Sequence, residues 1–78
     1  MTSPPAVARK VSIVVPVYNE EGNLPRLLPR LVPVLEGLGR PWEVVFVDDG
    51  SRDRSVELLK EAVRQHPGRV KAVELLRN

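Results

Sequence analysis

Three short stretches of the chain are rich in β-branched residues and predict strands. They are residues 11–15, 42–47 and 69–76. The second stretch is apolar without interruption from position 44 to position 47, which is typical of a strand buried on both faces in a parallel sheet. Pro16 follows the first stretch, and proline has no N–H for a strand ladder, so we expect the first strand to end there.

Between the first two strands, apolar residues recur at helical spacing and form one stripe. Its members are Leu24, Leu27, Leu28, Leu31, Val32, Leu35 and Leu38. Asn23 suits the N-cap, and Gly37 suits the helix end. Pro29 and Pro33 each cost roughly 3 kcal/mol inside a helix. The pattern therefore predicts either one bent helix with its prolines towards solvent or two shorter helical pieces.

A second helical stripe follows the second strand and consists of Val56, Leu59, Ala62 and Val63. Ser51 or Asp53 is expected to cap this helix, and the segment 66–68, His-Pro-Gly, is expected to end it. The predicted order is β-α-β-α-β. Because the connections are short, this order predicts parallel strands joined by right-handed crossovers. It corresponds to half of a doubly wound, Rossmann-like α/β sheet.

Length and composition add limits to this picture. The chain has 78 residues, which is marginal for a stable domain. Residues 1–10 are predicted to be a disordered leader, and residues 11–78 an incomplete domain. A truncated sheet leaves an open edge, through which self-association is expected. The chain contains no cysteine, which excludes disulfides and thiolate metal sites.

The charge pattern bears on partners and location. The net charge is +2, and the basic residues are interleaved with acids, which indicates solvated faces and no nucleic-acid partner. Aromatic residues are too few for a base-stacking platform. No apolar run approaches the roughly 18 residues of a membrane span, and residues 1–10 lack the apolar core of a secretory signal. A cytoplasmic location is expected.

Candidate chemistry follows the first two strands. Parallel strands end at the same side of a sheet, where ligands of open α/β folds bind. Two polar segments, 16–20 and 48–53, should therefore meet there. Tyr18 can cover a ring face, and Glu20 and Asp49 can accept hydrogen bonds from base N–H groups or ribose hydroxyls. Glycine-rich dinucleotide and P-loop motifs are absent from the sequence.

The two segments together resemble a known family. The sequence Val-Val-Pro-Val-Tyr-Asn-Glu-Glu at 14–21 is followed about 25 residues later by Val-Asp-Asp-Gly-Ser-Arg-Asp at 47–53. This pair is similar to the start of family 2 glycosyltransferases, which are inverting nucleotide-sugar enzymes of the GT-A fold. Together with the Leu-Leu-Arg-Asn ending, the spacing most resembles the branch that contains dolichyl- and polyprenyl-phosphate glycosyltransferases. The resemblance covers residues 11–78.

The resemblance implies roles for individual residues. It assigns six positions to the donor nucleoside pocket, namely Pro16, Tyr18, Glu20, Val47, Asp48 and Asp49. Asp49 would accept from a ring N–H, and Asp48 would be the neighbouring acid of the same pocket. Ser51 and Asp53 match loop and helix-cap positions and are expected to be structural.

The resemblance also implies what this chain does not contain. Family members hold Mg²⁺ or Mn²⁺ on a later acidic motif and carry their catalytic base beyond it, so no catalytic or metal-binding residue is expected here. The chain is expected to be the N-terminal third or less of an enzyme and to be inactive alone. Implied partners of the whole enzyme are a UDP- or GDP-linked sugar and an acceptor, with a lipid phosphate as one candidate. Association with the cytoplasmic face of a membrane is also implied.

Three other interpretations of the same residues remain open at this stage. The first is a non-catalytic nucleotide-binding module. The second is a Mg²⁺-dependent phosphoacceptor domain that uses Asp48 and Asp49. In the third, the segment 48–51 is only a turn and helix cap.

Overall fold

The computed structural model describes residues 9–75, and these form three strands and two helices. In chain order they are β1 (Val11–Val17), α1 (Leu24–Glu36), β2 (Trp42–Asp48), α2 (Ser55–Gln65) and β3 (Val70–Glu74). The strands pair in parallel in the order β1-β2-β3. The predicted β-α-β-α-β arrangement is confirmed. The leader predicted for residues 1–10 lies almost entirely outside the described residues.

β1 continues through Pro16, so the predicted strand end at that residue is wrong. The Val11 N–H donates to the Pro41 carbonyl (2.8 Å), and the Val17 carbonyl accepts from the Asp49 N–H (2.9 Å). Odd-numbered residues of β1 therefore direct their backbone groups towards β2. Pro16 directs its nitrogen to the outer edge of the three-stranded sheet, where a missing N–H disturbs no ladder.

α1 is one continuous helix that includes Pro29 and Pro33, so the two-piece alternative is wrong. The prolines are exposed, as the helical wheel predicts. The helix ends at Gly37, as expected. Leu38 lies beyond this end and is 47% exposed, so the buried stripe is shorter than predicted.

A single core lies between the helices and one face of the sheet. Its buried members are Val17, Leu24, Leu35, Trp42, Val44, Phe46, Leu59, Ala62 and Val70. Alternate residues of β2 are buried, whereas Val45 and Val47 are only half-buried, and Val14 on the same side is 64% exposed. The prediction of two buried faces is thus wrong for the described residues. Right-handed crossovers between strands in the order 1-2-3 place both helices on the same face.

The last two elements follow the sequence pattern with shorter bounds. α2 buries Leu59 and Ala62 and ends before His66, as expected. β3 begins at Val70, one residue later than predicted, and runs to Glu74, while Leu76 lies outside the described residues. Within residues 9–75, neither helix is long and apolar enough to cross a lipid bilayer.

Candidate functional site

Two loops lie side by side at the carboxyl end of the sheet, as the parallel topology predicts. The first loop (residues 18–23) follows β1, and the second loop (residues 49–54) follows β2. Val17 and Asp48, the last residues of the two strands, are partners in the strand register. The bond from the Asp49 N–H to the Val17 carbonyl continues the ladder to the start of the second loop.

Side chains that follow β2 hold the backbone of the first loop. Three successive N–H groups of that loop donate to two hydroxyl oxygens and one carboxylate. The pairs are Asn19 to Ser51 Oγ (2.9 Å), Glu20 to Ser55 Oγ (2.8 Å) and Glu21 to Asp53 Oδ2 (3.2 Å). Backbone groups near the surface usually bond to water, so this series indicates a loop with a defined conformation.

The Asn19 side chain makes a second hydrogen bond to the second loop. Its side-chain Oδ1 accepts from the Arg52 N–H at 2.8 Å. Its φ of +50° lies in the left-handed region, which asparagine tolerates better than most residues other than glycine. Gly50 supplies the corresponding left-handed conformation in the second loop, with φ of +85°.

Asp48, at the end of β2, holds the conformation of the second loop through hydrogen bonds. It is only 2% exposed, and its Oδ2 accepts from the N–H groups of Gly50 (3.2 Å) and Ser51 (3.0 Å). The Ser51 hydroxyl donates to Asp48 Oδ1. These bonds form an Asx-type turn, in which a carboxylate takes the place of a backbone acceptor. Both oxygens of the Asp48 carboxylate therefore accept hydrogen bonds from residues of the second loop.

The structure brings all six predicted pocket residues to the same end of β1 and β2. Pro16 and Val47 are register partners on the sheet face that the helices do not cover. Tyr18 begins the first loop and is 55% exposed. Asp49 begins the second loop and is half-buried. Whether these residues contact a nucleoside stays a prediction.

Glu20 is half-buried and lies where the first loop turns into α1. Its carbonyl accepts from the N–H groups of Asn23 (3.0 Å) and Leu24 (2.9 Å). The Asn23 side-chain amide donates to Glu20 Oε2 at 2.7 Å instead of accepting from the helix. Asn23 therefore occupies the predicted N-cap position, but its side chain orients Glu20.

The prediction that Ser51 or Asp53 caps α2 is wrong, because the N-cap is Arg54. Asp53 lies one residue before it, and Ser51 bonds across to the first loop. Asp53 Oδ1 accepts from the Ser55 N–H at 2.8 Å, and Oδ2 accepts from Glu21. Burial alone would raise the pKa of Asp53. The hydrogen bonds from Ser55 and from the Glu21 N–H outweigh it, so this pKa lies below its usual value.

Sequence reasoning missed the roles of Asn19 and Ser55. Asn19 directly follows a strand and an aromatic residue, and an asparagine at such a position could have signalled a left-handed turn. Ser55 is fully buried at the first position of α2, and its hydroxyl holds the first loop. A small polar residue in a helix's first turn gives no sequence signal of a contact 35 positions away.

The two loops offer a flat aromatic ring and carboxylates in one place, which suits a ligand with a ring face and N–H or O–H donors. Among residues 9–75, no group of three histidine, aspartate or glutamate side chains is placed to hold a metal ion. The described residues of the two loops therefore offer a ring face and hydrogen-bond acceptors to an organic group.

Comparison with known proteins adds an independent observation. Residues 12–78 match the family model described as glycosyl transferase family 2. A relative from Pectobacterium atrosepticum, named undecaprenyl-phosphate 4-deoxy-4-formamido-L-arabinose transferase, is 50% identical over 70 residues, which are 90% of this chain and 21% of the relative.

Relatives of the same name occur in other bacteria. The one from Pseudomonas aeruginosa PAO1 is 56% identical over 68 residues, covering 87% of this chain and 20% of the relative. The one from Salmonella paratyphi B is 42% identical over 73 residues, covering 94% and 22%. The chain thus spans about a fifth of the length of these relatives. With the family model matching nearly all of it, and with the β-α-β-α-β sheet in place, the chain belongs to glycosyl transferase family 2.

Proposed function

We propose that this chain forms the donor nucleoside-binding part of an inverting glycosyltransferase. The observation that supports this proposal most is the series of hydrogen bonds between the two loops. These bonds join the first loop, which carries Tyr18 and Glu20, to the second loop, which begins with Asp49, at the end of the sheet where α/β folds bind ligands.

Each residue has a part in the proposed pocket. Tyr18 covers one face of the base, since this residue is more than half exposed and its ring can stack on another ring. Asp49 accepts a hydrogen bond from a base N–H, and Glu20, oriented by Asn23, accepts from a ribose hydroxyl. Pro16 and Val47 border the base, as register partners at the strand ends. Asp48 contributes to the pocket indirectly, because its hydrogen bonds hold the turn that follows Asp49.

The reaction belongs to the whole protein. The proposed donor is a sugar linked to UDP or GDP, and the proposed acceptor is a polyprenyl phosphate, which the undecaprenyl-phosphate relatives support. The sugar would transfer by direct displacement with inversion. Mg²⁺ or Mn²⁺ would stabilise the departing diphosphate, on a later acidic motif of the kind that the family resemblance implies.

Location and assembly are part of the same proposal. The whole protein would act at the cytoplasmic face of a membrane, where a lipid-phosphate acceptor is accessible. Among residues 9–75, the outer edges of β1 and β3 have no partner strand, so self-association by strand pairing is expected. This chain alone is expected to transfer no sugar, because it spans about a fifth of the length of its relatives.

Calorimetric titration of the whole protein with UDP and with GDP tests the proposal. We expect one of them to bind, and Asp49→Asn to raise its Kd about ten- to a hundredfold, as loss of a hydrogen bond to a charged group does. Glu57→Gln is a matched control, because Glu57 is an exposed acid paired with Arg54 on α2. Equal affinity of the wild type and Asp49→Asn would contradict the proposed role of Asp49.

The alternatives make different predictions. Nucleotide binding by the whole protein without turnover of any nucleotide sugar would favour a non-catalytic binding module. A phosphoacceptor role conflicts with the burial of Asp48 and with the three hydrogen bonds that its oxygens accept. Labelling of Asp48 or Asp49 by acetyl phosphate would revive that role.

A further inference from the structure

We infer that Asn19 and Ser51 are a pair of positioning residues that set the distance between the two walls of the nucleoside pocket. This inference rests on the proposed function. The pair is reciprocal: the Asn19 N–H donates to Ser51 Oγ, and Asn19 Oδ1 accepts from the N–H of Arg52, the residue after Ser51. In one hydrogen bond the first loop is the donor, and in the other the second loop is the donor.

The Ser51 hydroxyl connects this pair to the buried acid. A hydroxyl can accept and donate at once, and this one accepts from Asn19 and donates to Asp48 Oδ1. Asp48 is fixed at the end of β2 and is almost completely buried. Through Ser51, the backbone of the first loop is therefore held to the rigid end of a central strand.

Asn19 is suited to this task by conformation as well as by its side chain. Its left-handed backbone, with φ of +50°, is accessible to glycine, asparagine and aspartate at lower cost than to other residues. Of these three, glycine has no side-chain acceptor for the Arg52 N–H, whereas aspartate keeps one. Conformation and hydrogen bonding can therefore be separated by substitution.

The position of the pair explains why it matters for binding. Asn19 lies between Tyr18 and Glu20, so a shift of its backbone displaces both proposed ligand contacts together. Ser51 lies two residues after Asp49, on the same turn. Substitution of Asn19 or Ser51 would remove none of the side chains proposed to contact the ligand. It would instead increase the distance between the two loops that carry them.

The test measures UDP and GDP binding by the whole protein and by Ser51→Ala, Ser51→Thr, Asn19→Gly and Asn19→Asp, together with their melting temperatures. Ser12→Ala is the matched control, because it removes a serine hydroxyl bonded to Glu43 at the opposite end of β1. We expect Ser51→Ala and Asn19→Gly to raise Kd about tenfold, as loss of one or two hydrogen bonds does. Ser51→Thr and Asn19→Asp restore binding to within about threefold of the wild type, and Ser12→Ala leaves it unchanged.

A purely structural role would give a different result. It would lower the melting temperature of Ser51→Ala and Asn19→Gly while leaving the Kd of the folded protein unchanged, and that result overturns the inference alone. Failure of Ser51→Thr and Asn19→Asp to rescue binding also overturns it. A wild-type protein that binds neither UDP nor GDP overturns the proposed function, and the inference falls with it.

Discussion

The two ends of the parallel sheet are held together by different kinds of contact. At the carboxyl end, short side chains bind backbone N–H groups across the two loops. At the amino end, the carboxylate of Glu43 on β2 receives Lys10 (3.3 Å), Ser12 of β1 (3.0 Å) and Lys71 of β3 (3.0 Å). We call this second group the Glu43 cluster.

The difference lies in how strongly each kind of contact fixes a shape. The lysines of the Glu43 cluster are about half exposed, carry flexible side chains and are screened by salt, so they tie the three strands together without fixing a surface. The bonds at the carboxyl end involve backbone groups and side chains with few rotamers. A pocket that selects a ligand needs this second kind of support.

The largest expected effect comes from the buried acid at the carboxyl end. Asp48→Ala leaves two N–H groups and the Ser51 hydroxyl without their acceptor, so we expect it to lower the free energy of unfolding by about 3 kcal/mol. Urea denaturation measures this change. Asp48→Asn, which keeps one acceptor oxygen, should lie between Asp48→Ala and the wild type. A change as small as that caused by Ser12→Ala would remove the distinction between the two ends.

A smaller effect, which is present at neutral pH and disappears in acid, is expected from the Glu43 cluster. Hydrogen bonds from Lys71, Ser12 and Lys10 lower the pKa of Glu43 to about 2, against an ordinary value of 4.5. The stability that ionised Glu43 contributes is therefore complete above about pH 4.5 and is lost as the pH falls towards 2.

Urea midpoints of the wild type and Glu43→Gln, measured from pH 7 to pH 2, test this expectation. Asp53 and Glu61 also have lowered pKa values, but they are present in both proteins, so the difference isolates Glu43. We expect that difference to be constant near neutral pH and to shrink below pH 4.5. A difference that is independent of pH would show that the cluster adds no charge-dependent stability.

The meeting of the two loops could be predicted from the sequence, because it depends only on topology. Strand, helix and turn signals predict parallel strands, and parallel strands end at the same side. The cap of α2 was less predictable, because the N-cap is Arg54 and Asp53, one residue earlier, accepts from the Ser55 N–H.

The bonds between the loops could not be predicted in the same way. They depend on the left-handed conformation of Asn19 and on which side chains of residues 51–55 reach the first loop. Asp48 and Asp49 are adjacent acids at the end of an apolar run, but only the structure shows that the Asp48 side chain is turned into the second loop. Sequence pattern gives the type of residue at a position and not the direction of its side chain.

The faces of the sheet show a related limit. The run of apolar residues in β2 predicts burial on both sides, yet both helices lie on one side of the three described strands. An apolar sheet face indicates that the face is suited to burial, but it does not show which element covers it. The continuation through Pro16 was missed for a similar reason, since only the register shows that its nitrogen faces outwards.

The most direct measurement is a structure of the whole protein bound to UDP or GDP, whichever binds in the titration. We expect the base to lie against the Tyr18 ring with a ring N–H on the Asp49 carboxylate, and the bonds between Asn19, Ser51 and Arg52 to be preserved. A nucleotide bound away from these two loops, or loops that separate when it binds, would contradict a shared nucleoside pocket.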